Sequence, residues 1–283
     1  MQPRYLKKKI DGQTIAYRSI GIGHPVFCFP GWTLSSQSFL PLVKHLDTDN
    51  FRFILLDIPG WAGKSPKLKG KTTIHALAKI GISFTNAFNF PSFSLLGYSY
   101  GGALVQEIIK TKIMPVSSVI LLSTLCEGGD SLKSQFDKPI QMYAHAKKTG
   151  VSDVVIREQI SRIFNTSVIA RLPMSHYSQN SAMDKTLREY FSGDIRAMIE
   201  SGFSLLKHSY LSKRLTDLTT MVLYADEDMS FIVTSSKRIA RFIGVKPIVV
   251  KGDHNHILFD PTASAKYINS FLQKNISSEM SSD

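Results

Sequence analysis

Cysteine is almost absent: Cys28 and Cys126 are the only two among 283 residues. So few, so far apart, supply neither a disulfide framework nor the spacing of a metal site. Both are expected to be small buried hydrophobes in a reducing compartment. No apolar run approaches the ~20 residues that a membrane span requires. The opening residues, MQPRYLKKKIDGQTIAYR, carry basic side chains with no apolar stretch behind them, so no secretory signal is expected and a cytoplasmic location is. No internal repeat is found, and no motif calls for a metal or a cofactor. Acidic residues are missing from one long stretch. None lies between Asp57 and Glu107, whereas Lys64, Lys67, Lys69 and Lys71 fall within eight positions.

What is present is the composition of a globular chain, with 43% hydrophobic and 20% charged residues. The length suffices for a large core, and a single α/β unit with an insertion fits it. The formal charge of +12 and pI near 9.6 raise the question of a polyanionic partner. Lys and Arg are spread along the chain and no nucleic-acid motif stands beside them, so nucleic acid is not the expected partner.

The first third reads as strands in quick succession. Leu6–Ile10 and Thr14–Arg18 flank Asp11-Gly12, a hairpin signal. Pro25–Phe29, Phe53–Leu56 and Phe93–Leu96 are short apolar runs, ending respectively in Pro30-Gly31, in Asp57-Ile58-Pro59-Gly60 and in Gly97-Tyr98-Ser99-Tyr100-Gly101. Unbroken apolar strands separated by helical stretches, here around 36–47, 73–88 and 101–112, predict a parallel sheet buried on both faces. Val116–Leu122, Thr219–Ala225 and Pro247–Val250 continue the series. Between them, residues 125–212 change character, with amphipathic helical segments such as Ser152–Phe164 and Asp194–His208. The expected organisation is a core of residues 1–124 and 213–275, a helical cap or lid over 125–212, and a disordered tail over 276–283.

The pattern Gly97-Tyr98-Ser99-Tyr100-Gly101 is weak alone, since chance supplies a G-x-S-x-G in roughly one chain of this length in ten. Its context is what counts: it follows an apolar strand and opens a helix, Gly102–Ile109. That strand–turn–helix lifts a serine hydroxyl above the sheet edge on a strained turn, beside a helix N-terminus that favours negative charge. Ser99 is therefore the candidate nucleophile. A hydroxyl needs a base to take its proton and a carboxylate to orient that base. In this arrangement the acid and then the histidine follow the serine along the chain. Asp226, Glu227 and Asp228 follow one late strand, and His254 and His256 follow the next. The amide of Tyr100, directly after the nucleophile, is one expected oxyanion donor.

In motif order and spacing, residues 10–124 and 215–272 resemble the α/β-hydrolase superfamily of small esterases. The resemblance rests on Asp11-Gly12 with Tyr17-Arg18, on Pro30-Gly31-Trp32, on Asp57-Ile58-Pro59-Gly60-Trp61-Ala62-Gly63-Lys64-Ser65, and on the serine motif with Gly102. It implies the α/β-hydrolase fold, a mostly parallel central sheet flanked by helices, with the helical cap inserted. Ala225-Asp226-Glu227-Asp228 stands where the family has Gly-x-x-Asp, so the resemblance favours Asp228 as the acid. Pro261 lies seven residues after His254, which favours His254 as the base. It also implies the Trp32 amide as the second oxyanion donor. Two positions depart from the pattern: Pro30 replaces the usual His before Gly31, and Asp253 replaces the Gly before the base. Pro30 removes a side chain that often braces the oxyanion loop, and Asp253 puts a negative charge beside the base, which raises its pKa.

The function this implies is hydrolysis of a carboxylic ester, with a small-molecule ester as substrate. A thioester or a carbon–carbon bond runs on the same three residues, and a non-catalytic small-molecule receptor is the alternative of another class. The Gly-Trp turn, the cap and the basic balance together are similar to the methyl esterases that release pimeloyl-carrier protein in biotin synthesis. On that likeness the partner is an acidic acyl carrier protein, steered by Lys64, Lys67, Lys69 and Lys71 together with Lys147, Lys148, Arg157 and Arg162 of the cap.

Overall fold

A computed structural model describes residues 3–128, 192–206 and 209–280, together with Gln141, His145 and Lys148. Eight strands form one sheet in the order β1-β2-β4-β3-β5-β6-β7-β8. They are β1 Leu6–Ile10, β2 Gln13–Ile20, β3 His24–Phe29, β4 Phe51–Leu56, β5 Phe93–Tyr98, β6 Val116–Leu122, β7 Thr219–Ala225 and β8 Ile248–Val250. The first two strands are antiparallel to their neighbours, and every pairing from β4 to β8 is parallel. Asp11 (φ 47°) and Gly12 (φ 77°) turn the β1–β2 hairpin, with Ile10 opposite Gln13. Two successive positive φ values are what a tight two-residue hairpin demands, and Asp-Gly supplies them at low cost.

Alternate residues of the central strands feed two separate cores. Phe27, Phe29, Leu95, Val119 and Leu121 lie on one face with Leu77, Ile82, Leu104 and Ile108 of the helices Ile74–Asn86 and Tyr100–Thr111. Val26, Cys28, Leu96, Tyr98, Ile120 and Leu122 lie on the other, against Phe39, Leu42 and the Ala265, Ile268 and Leu272 stripe of the last helix. The result is a helix–sheet–helix sandwich, and the continuous apolar reading of the strands follows from burial on both faces. Cys28 and Cys126 are both buried free thiols, and burial pushes both thiols up in pKa.

Two differences from the sequence expectation stand out. The stretch 36–47 divides into a 3-10 turn, Ser36–Phe39, and a short helix, Leu40–Val43, with Pro41 in its first turn. The last helix spans Thr262–Met280, so the tail expected to be disordered from residue 276 is helical through Met280. Its buried series at four-residue spacing, Ile268 and Leu272 with Ile276 packed against the same core, carries the helix onward. Of the expected cap, the helix Ile195–Leu205 is described, and it docks directly on the core. The Ser152–Phe164 helix lies outside the described residues.

The chain leaves β3 for β4 on one side and returns to β5 on the other. At such a switch in direction the carboxyl ends of adjacent strands diverge and leave a crevice. Trp32 follows β3 and Ser99 follows β5, so both stand at its mouth.

Candidate active site

Ser99 joins β5 to the Tyr100–Thr111 helix at φ 53°, ψ −117°. Such a backbone costs an L-residue about 1–3 kcal/mol and persists only where its surroundings dictate it. Here they do. The Ser99 amide donates to Leu122 O (2.9 Å), and the Ser99 carbonyl accepts from the Gly102 amide (3.0 Å) and Thr124 Oγ1 (2.6 Å). The flanking glycines admit this crowding. A Cβ on Gly101 would stand 1.9 Å from Phe29 O, and one on Gly97 would stand 2.5 Å from Gly101 O. Gly101 thus lets the helix start press against the end of β3 and Pro30 O.

Of the three carboxylates after β7, only Asp228 turns inward. Asp226 is exposed and bonded to Lys251 Nζ (2.6 Å), and Glu227 is exposed. Asp228 is buried, and its Oδ1 accepts from His254 Nδ1 (2.8 Å) and from the Met229 amide (2.7 Å). His254 Nε2 lies 2.9 Å from Ser99 Oγ. The structure therefore brings Ser99, His254 and Asp228 into one hydrogen-bonded chain. Tyr98 fixes the histidine loop, with its ring 5.4 Å from the imidazole and its hydroxyl donating to His254 O (2.8 Å).

Burial opposes charge on both ionisable partners, but their mutual attraction wins. Asp228 lies below the usual carboxylate range because the His254 ring and the Met229 amide favour its charged form. His254 is raised above the ordinary histidine value by the Asp228 carboxylate and its hydrogen bond, with a further contribution from Asp253. Chemically, a hydroxyl on one imidazole nitrogen and a buried carboxylate on the other let the hydroxyl lose its proton without leaving an unpaired charge.

His256 is a separate matter. It is buried and bonded through Nδ1 to Ser264 Oγ (2.8 Å) and through Nε2 to Ser123 Oγ (3.1 Å). Burial depresses its pKa to about 4, so the ring is neutral at pH 7. The Ser123 hydroxyl in turn favours the charged form of Asp228. In the sequence His256 stands only as a rival to His254; its place beneath the acid depends on Ser123 and Ser264, which are remote in sequence.

Trp32 is half-buried, and Tyr100 is fully buried with its phenol pushed well above its ordinary value by desolvation. Tyr100 opens its helix, so its N–H has no acceptor within that helix. The Asp57 carboxylate organises the neighbouring loops, accepting from the amides of Ser36 (2.7 Å) and Lys64 (2.7 Å). Lys64, Lys67, Lys69 and Lys71 are all exposed on the segment after β4, and Lys67 pairs with Asp194 (2.9 Å). Lys148 is exposed, and Lys147, Arg157 and Arg162 lie outside the described residues. Among the described residues, no group of His, Cys, Asp and Glu could hold a metal ion, and no helix is long and apolar enough to cross a membrane.

Comparison with known proteins agrees with this architecture. The chain is 23% identical to serine hydrolase-like protein 2 of Homo sapiens over 290 residues, covering 89% of this chain and 87% of that protein. Matches to a Mycobacterium phage D29 protein (26% identical) and a Danio rerio serine hydrolase-like protein (31% identical) are shorter, and the chain spans 53% and 31% of their lengths. Among solved structures, an esterase from Thermogutta terrifontis superposes with a TM-score of 0.79 at 18% identity, over 96% of this chain and 99% of that one. A bromoperoxidase from Bacillus anthracis does so with a TM-score of 0.75 at 17% identity, over 95% and 100%. The family model described as the alpha/beta hydrolase fold matches residues 24–263. With that model spanning most of the chain, and with the sheet order and the serine turn described above, the protein belongs to the alpha/beta hydrolase fold family.

Proposed function

We propose that this protein is a serine hydrolase that cleaves a carboxylic ester through an acyl-enzyme intermediate. The observation that carries the reading is the chain Ser99 Oγ–His254 Nε2 (2.9 Å) and His254 Nδ1–Asp228 Oδ1 (2.8 Å) on a strained turn at the sheet's switch point. Ser99 Oγ attacks the acyl carbon while His254 Nε2 takes its proton, and Asp228 holds the imidazole and offsets its positive charge. The amides of Tyr100 and Trp32 donate to the oxyanion. As the tetrahedral adduct collapses, His254 returns the proton to the departing alkoxide, and an ester of Ser99 remains. Water then attacks that ester with His254 as base, releasing the carboxylic acid and regenerating the hydroxyl. The serine at the turn separates this chemistry from reactions that begin with a carboxylate nucleophile. A panel of acyl esters and thioesters of rising chain length tests the reading. Ester turnover abolished in Ser99→Ala supports it, and thioester turnover without ester turnover moves the reading to a thioesterase.

The finer reading is an acyl-carrier-protein methyl esterase of cytoplasmic biotin synthesis, with residues 125–212 acting as the cap. It is favoured by four exposed lysines on the segment after β4, at the edge of the sheet where Ser99 stands. Such a rim attracts an acidic carrier and loses that attraction as salt screens it. Hydrolysis of a carrier-bound ester should therefore fall with ionic strength while hydrolysis of the free methyl ester does not. Equal salt dependence of the two would remove the carrier from the account.

A further inference from the structure

The two residues assigned as oxyanion donors share one more neighbour. Trp32 Nε1 donates to Ser201 Oγ (3.2 Å) and to Met198 O (3.0 Å), and Trp61 Nε1 donates to the same Ser201 hydroxyl (3.3 Å). That hydroxyl donates to Met198 O (2.8 Å). A serine hydroxyl has one proton and two lone pairs, and all three are used here. The Ser201 carbonyl accepts from Ser204 Oγ (2.7 Å), with Tyr100 Oη farther off at 3.4 Å, and the Tyr100 ring packs edge-on against Trp61, 4.9 Å between centroids. Ser201 is fully buried, on a helix that lies against the turns after β3 and β4.

The close approach of that helix is built into the backbone. Asp194 N donates to Gly60 O (2.8 Å) and Asp194 caps the helix by accepting from the Ala197 amide (3.0 Å). Cβ atoms on Gly60 or Gly193 would stand 2.6 Å from Ala197 Cβ and from Gly60 O respectively. The helix is further tied to the core by Thr72 N on Glu200 Oε2 (2.8 Å) and Ile74 N on Ser204 Oγ (2.7 Å). The Pro30–Thr33 loop, by contrast, bends sharply, with Thr33 at φ 63°. Its indole is anchored to that docked helix through Ser201 Oγ and Met198 O.

From this we infer that Ser201 is a positioning residue for catalysis: its hydroxyl, with Met198 O beside it, holds the Trp32 indole and so aims the Trp32 backbone amide at the oxyanion. The inference rests on the serine-hydrolase reading above. It makes the 195–205 helix a fixed wall of the acyl site and not a mobile part of a lid. The indole's bonds to Ser201 and Met198 hold the Trp32 peptide, so loosening them weakens transition-state binding more than ground-state binding.

The test is steady-state kinetics on an ester that the wild type hydrolyses, using Ser201→Ala, Trp32→Phe and the double variant. Trp32→Phe keeps the backbone amide and ring bulk but deletes the indole N–H. Trp32→Phe is expected to lower kcat about 10-fold, less than the loss of a whole oxyanion donor, and Ser201→Ala about 3-fold, because Met198 O still accepts from the indole; KM should change by less than about 3-fold in both. The double variant is expected to match Trp32→Phe, because removing the Ser201 hydroxyl costs nothing further once the indole N–H is gone. Ser201→Thr, which restores the hydroxyl, is expected to recover kcat. Wild-type kcat in both single variants, a rise in KM alone, or additive losses in the double variant would overturn the inference even if melting temperature falls. Should Ser201→Ala fail to fold, Trp32→Phe decides by the same kcat criterion. A wild type that hydrolyses no ester and reacts with no fluorophosphonate overturns the serine-hydrolase reading itself, a separate outcome.

Discussion

The His256 ring makes a measurable demand on folding. It is buried, neutral and bonded to Ser123 and Ser264, with a folded pKa of about 4 against an ordinary value of 6.5. The unfolded chain binds a proton at this residue between pH 6.5 and pH 4 and the folded chain does not. Stability must therefore rise with pH across that window and be lost as pH falls from 6.5 towards 4. The greatest slope from one group is about 1.4 kcal/mol per pH unit, so a displacement of roughly 2.5 units amounts to about 3 kcal/mol. The perturbation is His256→Gln, which does not titrate and keeps an N–H near the position of Nε2. Denaturant unfolding of both proteins at steps from pH 7 to pH 4 isolates the site, because other groups cancel in the difference. The difference in unfolding free energy should move by about 3 kcal/mol in favour of the variant as the pH falls. A difference independent of pH would refute the buried neutral histidine.

Two other perturbations address the site from different sides. Asp253→Asn removes a negative charge from beside His254, so its pKa falls; the acid limb of the pH–kcat/KM profile should move to lower pH, most visibly at low salt, and an unmoved limb would remove Asp253 from the electrostatics. Gly101→Ala drives a Cβ to within 1.9 Å of Phe29 O, so it should cost at least about 3 kcal/mol and lower Tm by at least about 6 °C, and a wild-type Tm would contradict the close packing of the turn.

The frame of the molecule was readable because its signals are local. Asp11-Gly12 dictates a hairpin, and the apolar runs ending at Phe29, Leu56, Leu96 and Leu122 have no solvent face to offer, so each becomes a central strand. Ser99 was readable for the same reason, since the glycines around it lie within five residues. Asp228 and His254 needed more than spacing. Asp226 and Asp228 differ only in which side of a turn they occupy, and the Lys251 partner that holds Asp226 outside is remote in sequence. Ser201, Ser123 and Ser264 gave no signal at all. A serine within a helix or a loop is unremarkable until tertiary structure sets an indole or an imidazole against it. The end of the chain misled for a related reason: a polar tail looks disordered until Ile276 is seen to extend a buried stripe.

Everything proposed for this site requires Ser99 to be a hydroxyl that His254 can deprotonate. Its most direct test is reaction with a fluorophosphonate probe, followed by intact mass and by mapping of the modified peptide. One adduct per chain is expected, located on Ser99, formed in the wild type, absent in Ser99→Ala and strongly slowed in His254→Ala. No adduct in the folded wild type, or labelling that persists in Ser99→Ala, would contradict it.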